Sequence, residues 1–347
     1  MKAAQIVGPR LAKVVDVDEP SLEGPGRIKV RMERACLCGS DSPLFNYDLN
    51  ALVEAADRDP SQPLFVPFVD FERGDPYPLQ VGQSIHECLG TVVESTSDRF
   101  QEGDFVLALP DRHDGLVEYL CARDTRAIPL PRDAVSKEEI LMTQPLGTVV
   151  WATRKLGNIV DWDTVVVGQG PMGLMIGHML ANMGARTVIG VDKLDFRLEA
   201  AKKMRATHTV NVDREDPVAA VAEITDGRMA DLVVEAVGHQ METVGTCMQL
   251  AKRLGTLLCF GVPDHENYQN FPYSEFFRKN LTLISSVGAD VVPNFSLARD
   301  LIAQGRVDVS PLVTHVLPFE DIQKGYEMFV DRTDGAIKVV IDYDSLR

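Results

Sequence analysis

The chain has 347 residues, of which 45% are hydrophobic and 25% charged, and a formal net charge of −16. That length is too great for one small core and sets an expectation of two domains. The lack of any apolar run near ~18 residues excludes a membrane helix, and the negative charge excludes non-specific binding to nucleic acid, whose phosphates it would repel.

The opening residues Met1-Lys2-Ala3-Ala4-Gln5-Ile6-Val7 lead directly into strand-like sequence without the basic, apolar and small-residue zones of a secretory leader, so a cytoplasmic protein is expected. Six cysteines, at positions 36, 38, 88, 121, 247 and 259, are too sparse for a disulfide scaffold and suit a reducing compartment. From residue 1 to about 140, short strand-like runs at 28–32, 91–94 and 105–109 are punctuated by glycine, proline and aspartate, which predicts an antiparallel or barrel-like β unit. Residues 42–82 stand apart. They are rich in proline, aspartate and aromatics (Phe45, Tyr47, Phe65, Phe68, Phe71, Tyr77) with no long periodic stretch, and read as a long loop that is either a lid on the active site or a surface insertion.

From Asp163 the rhythm becomes buried strand, glycine turn and helix: 164–167 then 174–181, and 187–191 then 196–203, with further strands at 231–235 and 255–260. Strands alternating with helices predict a doubly wound parallel sheet. Within it lies Gly168-x-Gly170-Pro171-Met172-Gly173, directly after an apolar strand and opening an apolar helix. The first glycine permits a tight turn, the second lets the backbone approach a pyrophosphate, and the third allows close helix–strand contact. Asp192 ends the next strand about 20 residues on, where a carboxylate accepts hydrogen bonds from the adenosine ribose and repels a 2′-phosphate. NAD is therefore expected over NADP, although Lys193 and Arg197 stand close enough in sequence to meet a phosphate. The run 280–287 is apolar and β-prone near the expected sheet edge, and predicts pairing between copies of the chain.

The first domain carries Cys38-Gly39-Ser40-Asp41 and His86-Glu87. A thiolate and an imidazole suit Zn²⁺, and Glu87 reads either as a direct ligand or as a carboxylate standing behind the metal.

These residues, with Gln144-Pro145-Leu146 and the segment 168–197, make the chain resemble the zinc-dependent medium-chain dehydrogenase/reductase family over nearly its whole length, close to its sorbitol, threonine and archaeal glucose dehydrogenase branches. The resemblance implies a GroES-like catalytic domain over 1–145, completed by about 290–347, and a Rossmann NAD-binding domain over 146–289. It implies one catalytic zinc held by Cys38, His86 and Glu87 or Gln144. Ser40 would pass on the substrate proton, and Asp41 would hold the histidine tautomer. It also implies that Pro171, Met172, Arg197, Val262, Ser286 and Val287 contact the cofactor. Three departures stand out: Ile85 replaces the usual glycine before His-Glu, Pro43 replaces the relay histidine of the threonine branch, and 94–115 contains no cysteine, so no structural zinc is expected. Gln144 stands where the family often has a carboxylate, and a neutral amide there leaves more positive charge on the metal.

The reading is a zinc- and NAD-dependent oxidoreductase acting on a secondary alcohol of a small molecule such as a polyol or sugar, as a homodimer or homotetramer. A zinc-free NADP-dependent quinone or enoyl reductase, and a nucleotide-binding structural or regulatory protein with a decayed active site, are the alternatives.

Overall fold

The structure is a computed structural model and describes residues 1–58, 76–238, 241–263 and 270–347. In chain order the strands are β1 (Lys2–Gly8), β2 (Leu11–Asp16), β3 (Arg27–Cys36), β4 (Glu87–Ser95), β5 (Phe105–Ala108), β6 (Tyr119–Arg123) and β7 (Ala127–Pro129). They continue as β8 (Asp163–Val167), β9 (Thr187–Asp192), β10 (His208–Asn211), β11 (Ala230–Glu235), β12 (Ala251–Cys259), β13 (Thr282–Ser285), β14 (Val313–Pro318) and β15 (Lys338–Asp342). They fall into two compact units, one of Met1–Gln144, Val291–Gln304 and Val313–Arg347, the other of Pro145–Asp290 and Gly305–Leu312.

In the first unit a mixed sheet runs β14-β15-β3-β4-β5-β7, with β6 also on β3, and β1 and β2 form a separate hairpin. Strand β3 is central. Its Cys36 sits opposite Glu87 of β4 on one side and Val340 of β15 on the other. That register puts the chain following β3, the start of β4 and the start of β15 at one end of the sheet. The core is built on inward residues such as Ile28, Val30, Met32, Phe45 and Tyr326, all almost fully buried.

The segment read as a long loop begins instead with two helices, Ser42–Asn46 and Leu49–Arg58. Phe45 is fully buried and stacks on Tyr326 with ring centroids 4.6 Å apart, so this aromatic is core material and unavailable to a substrate. The Tyr77 hydroxyl donates to the Tyr47 carbonyl at 3.0 Å and accepts from the Leu49 N–H at 3.4 Å, which ties the returning chain to the junction between the two helices. Phe65, Phe68 and Phe71, on which the lid reading also leaned, lie outside the described residues.

The second unit is a sheet of order β10-β9-β8-β11-β12-β13, every neighbouring pair parallel. This is the order of a doubly wound dinucleotide-binding sheet. Asp163–Val167 is buried along its whole length because helices cover both faces, which explains its continuous apolar run. Residues 305–312, which the sequence reading placed with the first domain, pack in this unit: the Asn182 amide donates to the Arg306 carbonyl at 3.0 Å. Among the described residues no helix is long and apolar enough to cross a membrane.

Candidate metal centre and nucleotide cradle

Cys38, His86 and Glu87 each offer a ligand atom, and these atoms lie within 4.8 Å of one another. Local folding explains the meeting. After β3 the chain turns through Gly39–Asp41, and Asp41 Oδ2 accepts from the Cys38 backbone N–H at 2.7 Å, which fixes the cysteine at the turn's entrance. The other Asp41 oxygen faces His86 Nδ1 at 3.8 Å, beyond hydrogen-bond length, and both atoms are buried without a partner. Burial opposes a charge on His86, but interaction with Asp41 and Cys38 outweighs it and pushes its pKa well above the ordinary imidazole value. An imidazole set between a thiol and a carboxylate is arranged to receive a cation. The Ser40 hydroxyl beside them is also buried without a partner.

Glu87 has a more specific position than the sequence indicated. Its side chain is fully buried, and both carboxylate oxygens accept from Lys338 Nζ at 2.6 Å. Lys338, on β15, also donates to the Leu37 carbonyl at 3.1 Å. Burial works against its charge, yet the groups of Cys36, Glu87 and Cys38 outweigh burial and raise its pKa, so it remains an ammonium ion. Glu87 is therefore already paired, which favours the position behind the metal. Lys338 was missed in the sequence, where a lone lysine inside the apolar run 337–341 was its only signal. The ring of His113 was missed too; it lies against that of His86, centroids 4.6 Å apart. Burial first, and the neighbouring His86 second, lower the His113 pKa to about 4, so this ring is neutral near pH 7. Gln144 is buried near the start of the helix Thr143–Thr153.

Ile85 is fully buried, and its carbonyl accepts from the Gly115 N–H at 2.9 Å, so the bulkier residue before His86 is absorbed by the core. Pro43 sits in the first turn of Ser42–Asn46, also buried.

In the second unit the glycine turn has the required geometry. Gly168 has φ +94°, and a Cβ there would lie 2.8 Å from the Ala236 carbonyl oxygen. A Cβ on Gly173 would collide with the Gly168 carbonyl oxygen. At Gly170 a Cβ would meet only Arg197, at 3.9 Å, which leaves space for a bulky anion. Gly170 caps the helix Pro171–Asn182 and supplies no side chain, so the helix N–H groups of Met172 and Gly173 face that space without a side-chain cap. Asp192 Oδ2 accepts from the Gln169 N–H at 2.7 Å, and Oδ1 accepts from the N–H groups of Lys193 and Leu194 at 2.7 and 3.0 Å. Arg197 Nη1 lies 3.7 Å from the same carboxylate. At the sheet edge Ser286 N–H donates to the Cys259 carbonyl at 3.2 Å, and its hydroxyl meets Lys155 Nζ at 3.2 Å. Val287 is 74% exposed, and Val262 is half-buried before an undescribed stretch.

A family model described as zinc-binding dehydrogenase matches residues 171–304. Sorbitol dehydrogenase 2 of Saccharomyces cerevisiae is 29% identical over 93% of this chain and 92% of its own, and L-threonine 3-dehydrogenase of Bacillus subtilis is 26% identical over 95% and 94%. Over nearly its whole length the chain is thus similar to members of the zinc-dependent medium-chain dehydrogenase/reductase family. The alcohol dehydrogenase TADH from Thermus sp. ATN1 has the same fold, with a TM-score of 0.81 and 24% identity over 99% of both chains. The first unit is thus the family's GroES-like β domain and the second its Rossmann domain.

Similarity to zinc-binding dehydrogenases implies zinc and a nicotinamide cofactor, and the residues present fit both. A thiol, an imidazole and a carboxylate converge, with partnerless buried atoms on Ser40, Asp41 and His86 around them. In the Rossmann domain the space at Gly170 and the uncapped helix end fit a pyrophosphate.

Proposed function

We propose that this dehydrogenase oxidises a secondary alcohol of a polyol, sugar or related hydroxy compound with NAD, using one zinc ion per chain. The convergence of Cys38, His86 and Glu87 carries the reading. Zinc supplies the Lewis acidity that makes a substrate hydroxyl acidic, and nicotinamide accepts the hydride. Cys38 and His86 would hold the ion, with Gln144 as a neutral third ligand. Glu87, held by Lys338, would contribute negative charge from behind. The Asp41 carboxylate, 3.8 Å from Nδ1, would favour a proton on that nitrogen through its charge, leaving the far ring nitrogen free to ligate. The Ser40 hydroxyl, buried without a partner, would accept the substrate proton and pass it on.

NAD is favoured over NADP because Asp192 is pinned at the end of β9 by three backbone N–H groups. A carboxylate that cannot swing away repels a 2′-phosphate, while its remaining lone pair accepts from a ribose hydroxyl. Arg197 softens this charge without cancelling it. All six cysteines are unpaired, in keeping with a reducing cytoplasm. Edge strand β13 is largely exposed, with Leu283 at 38%, and association through it into a homodimer or homotetramer would cover its open backbone.

The test is a screen of NAD and NADP reduction over polyols, aldoses and amino alcohols, with metal analysis of the same preparation. Zinc-dependent NAD reduction with at least one polyol or sugar is expected. Turnover of quinones or enones with NADPH by zinc-free protein would replace this reading with the reductase alternative.

A further inference from the structure

We infer that His113 is a positioning residue of the metal site, its ring packed against His86 so as to hold that imidazole in the orientation from which it ligates zinc. The inference rests on the zinc reading above and deepens it. The two rings have centroids 4.6 Å apart and planes inclined at 37°. This is contact distance for aromatic rings.

The need for such a support follows from the other side of the ring. A histidine side chain rotates in a broad well about its outer torsion. Asp41 approaches Nδ1 only to 3.8 Å, too far for a hydrogen bond to fix the ring plane. A second surface against the ring removes that freedom.

His113 is placed for this by backbone rather than by chance of rotamer. It has φ +54°, in the left-handed region. The chain after it is bolted to the residues flanking His86: Gly115 N–H donates to the Ile85 carbonyl at 2.9 Å, and Leu116 N–H to the Gly82 carbonyl at 2.8 Å. The Tyr343 hydroxyl, fully buried, holds the Gly115 carbonyl at 2.9 Å. A Cβ on Gly115 would lie 2.7 Å from the Ile85 carbonyl oxygen, so only glycine lets the loop lie this close. The cysteine-free segment 94–115 therefore ends by delivering an aromatic ring to the metal histidine.

The experiment is competition for zinc between a chromophoric chelator and the full chain, as wild type, His113→Ala and His113→Phe, with the visible spectrum of the Co²⁺-substituted proteins as a second readout. Loss of the supporting ring in His113→Ala should weaken zinc binding about tenfold and shift the Co²⁺ bands, as removal of outer-shell partners does. His113→Phe keeps the ring without the nitrogens and should restore wild-type affinity and spectrum. Equal affinity and identical spectra in wild type and His113→Ala overturn the inference. So does a His113→Phe protein as weak as His113→Ala, because ring packing would then not be the active property. Should His113→Ala fold poorly, His113→Gln takes its place, and a Gln variant equal to Phe overturns the inference. A wild type that binds no zinc removes the metal reading itself, an outcome distinct from equal binding by all variants.

Discussion

Lys338→Met should destabilise the GroES-like domain strongly, and more so without zinc than with it. Lys338 and Glu87 are 1% and 0% exposed, and the ammonium meets both carboxylate oxygens at 2.6 Å. At an effective dielectric near 20 such a contact carries roughly 6 kcal/mol of Coulomb attraction, most of it offset by the cost of burying both charges. Removing one partner forfeits the attraction and keeps the burial cost of the other, about 3–5 kcal/mol in comparable cases. Against a total stability of about 5–15 kcal/mol this is a large fraction. Two controls isolate the cause. Adding Glu87→Gln to Lys338→Met removes the orphaned charge and should recover most of the loss, and zinc should partly compensate in the single mutant by supplying positive charge nearby. The assay is denaturant unfolding of zinc-free and zinc-loaded protein for the wild type, both singles and the double. A Lys338→Met protein within about 1 kcal/mol of wild type in the zinc-free state, or a double mutant no better than the single, would refute the reasoning.

Asp192→Ala should weaken NAD and relatively improve NADP, read as the ratio of kcat/KM for the two cofactors; an unchanged ratio contradicts the role given to this carboxylate. Gly173→Ala should abolish NADH binding in a fluorescence titration while leaving zinc content intact, because its Cβ collides with the Gly168 carbonyl. Acid should unfold the first domain through Glu33 and Asp344. Burial alone would raise both pKa values, but Lys137 with Thr91 at Glu33, and Lys137 with Arg34 at Asp344, outweigh it and lower them. Depressed carboxylates stabilise above their unfolded pKa near 4, and that stability is lost as pH falls through the folded values. Lys137→Met should therefore cost about 1 kcal/mol at pH 7, discounted for its partial exposure, and the difference from wild type should shrink below about pH 4. A constant difference across that range in pH-dependent urea unfolding would contradict the assignment.

The Rossmann domain was legible because each of its signals is local. Val165, Val166 and Val167 are apolar without alternation since helices cover both faces, and the glycines are demanded by collisions within the same turn. The β domain was legible only as texture. Strand β3 contains Lys29, Glu33 and Arg34, charges that obscure its burial and are satisfied by residues far along the chain: Glu94 for Lys29, Lys137 for Glu33, Glu138 for Arg34. Leu49–Arg58 was hidden for another reason: one helix of 10 residues was averaged into a segment dominated by proline and aspartate. At the metal site Cys38, Asp41 and His86 belong to recognisable local motifs. Lys338 and His113 reach the same place only through strand register and a loop bolted across the sheet, and no sequence spacing records either.

The central claim is tested most directly by zinc stoichiometry of the purified wild type beside Cys38→Ser, with NAD reduction measured on the same samples. About one zinc per chain in the wild type, and loss of both metal and turnover in Cys38→Ser, is the predicted result. Full NAD-linked alcohol oxidation by a wild type stripped of zinc would contradict it.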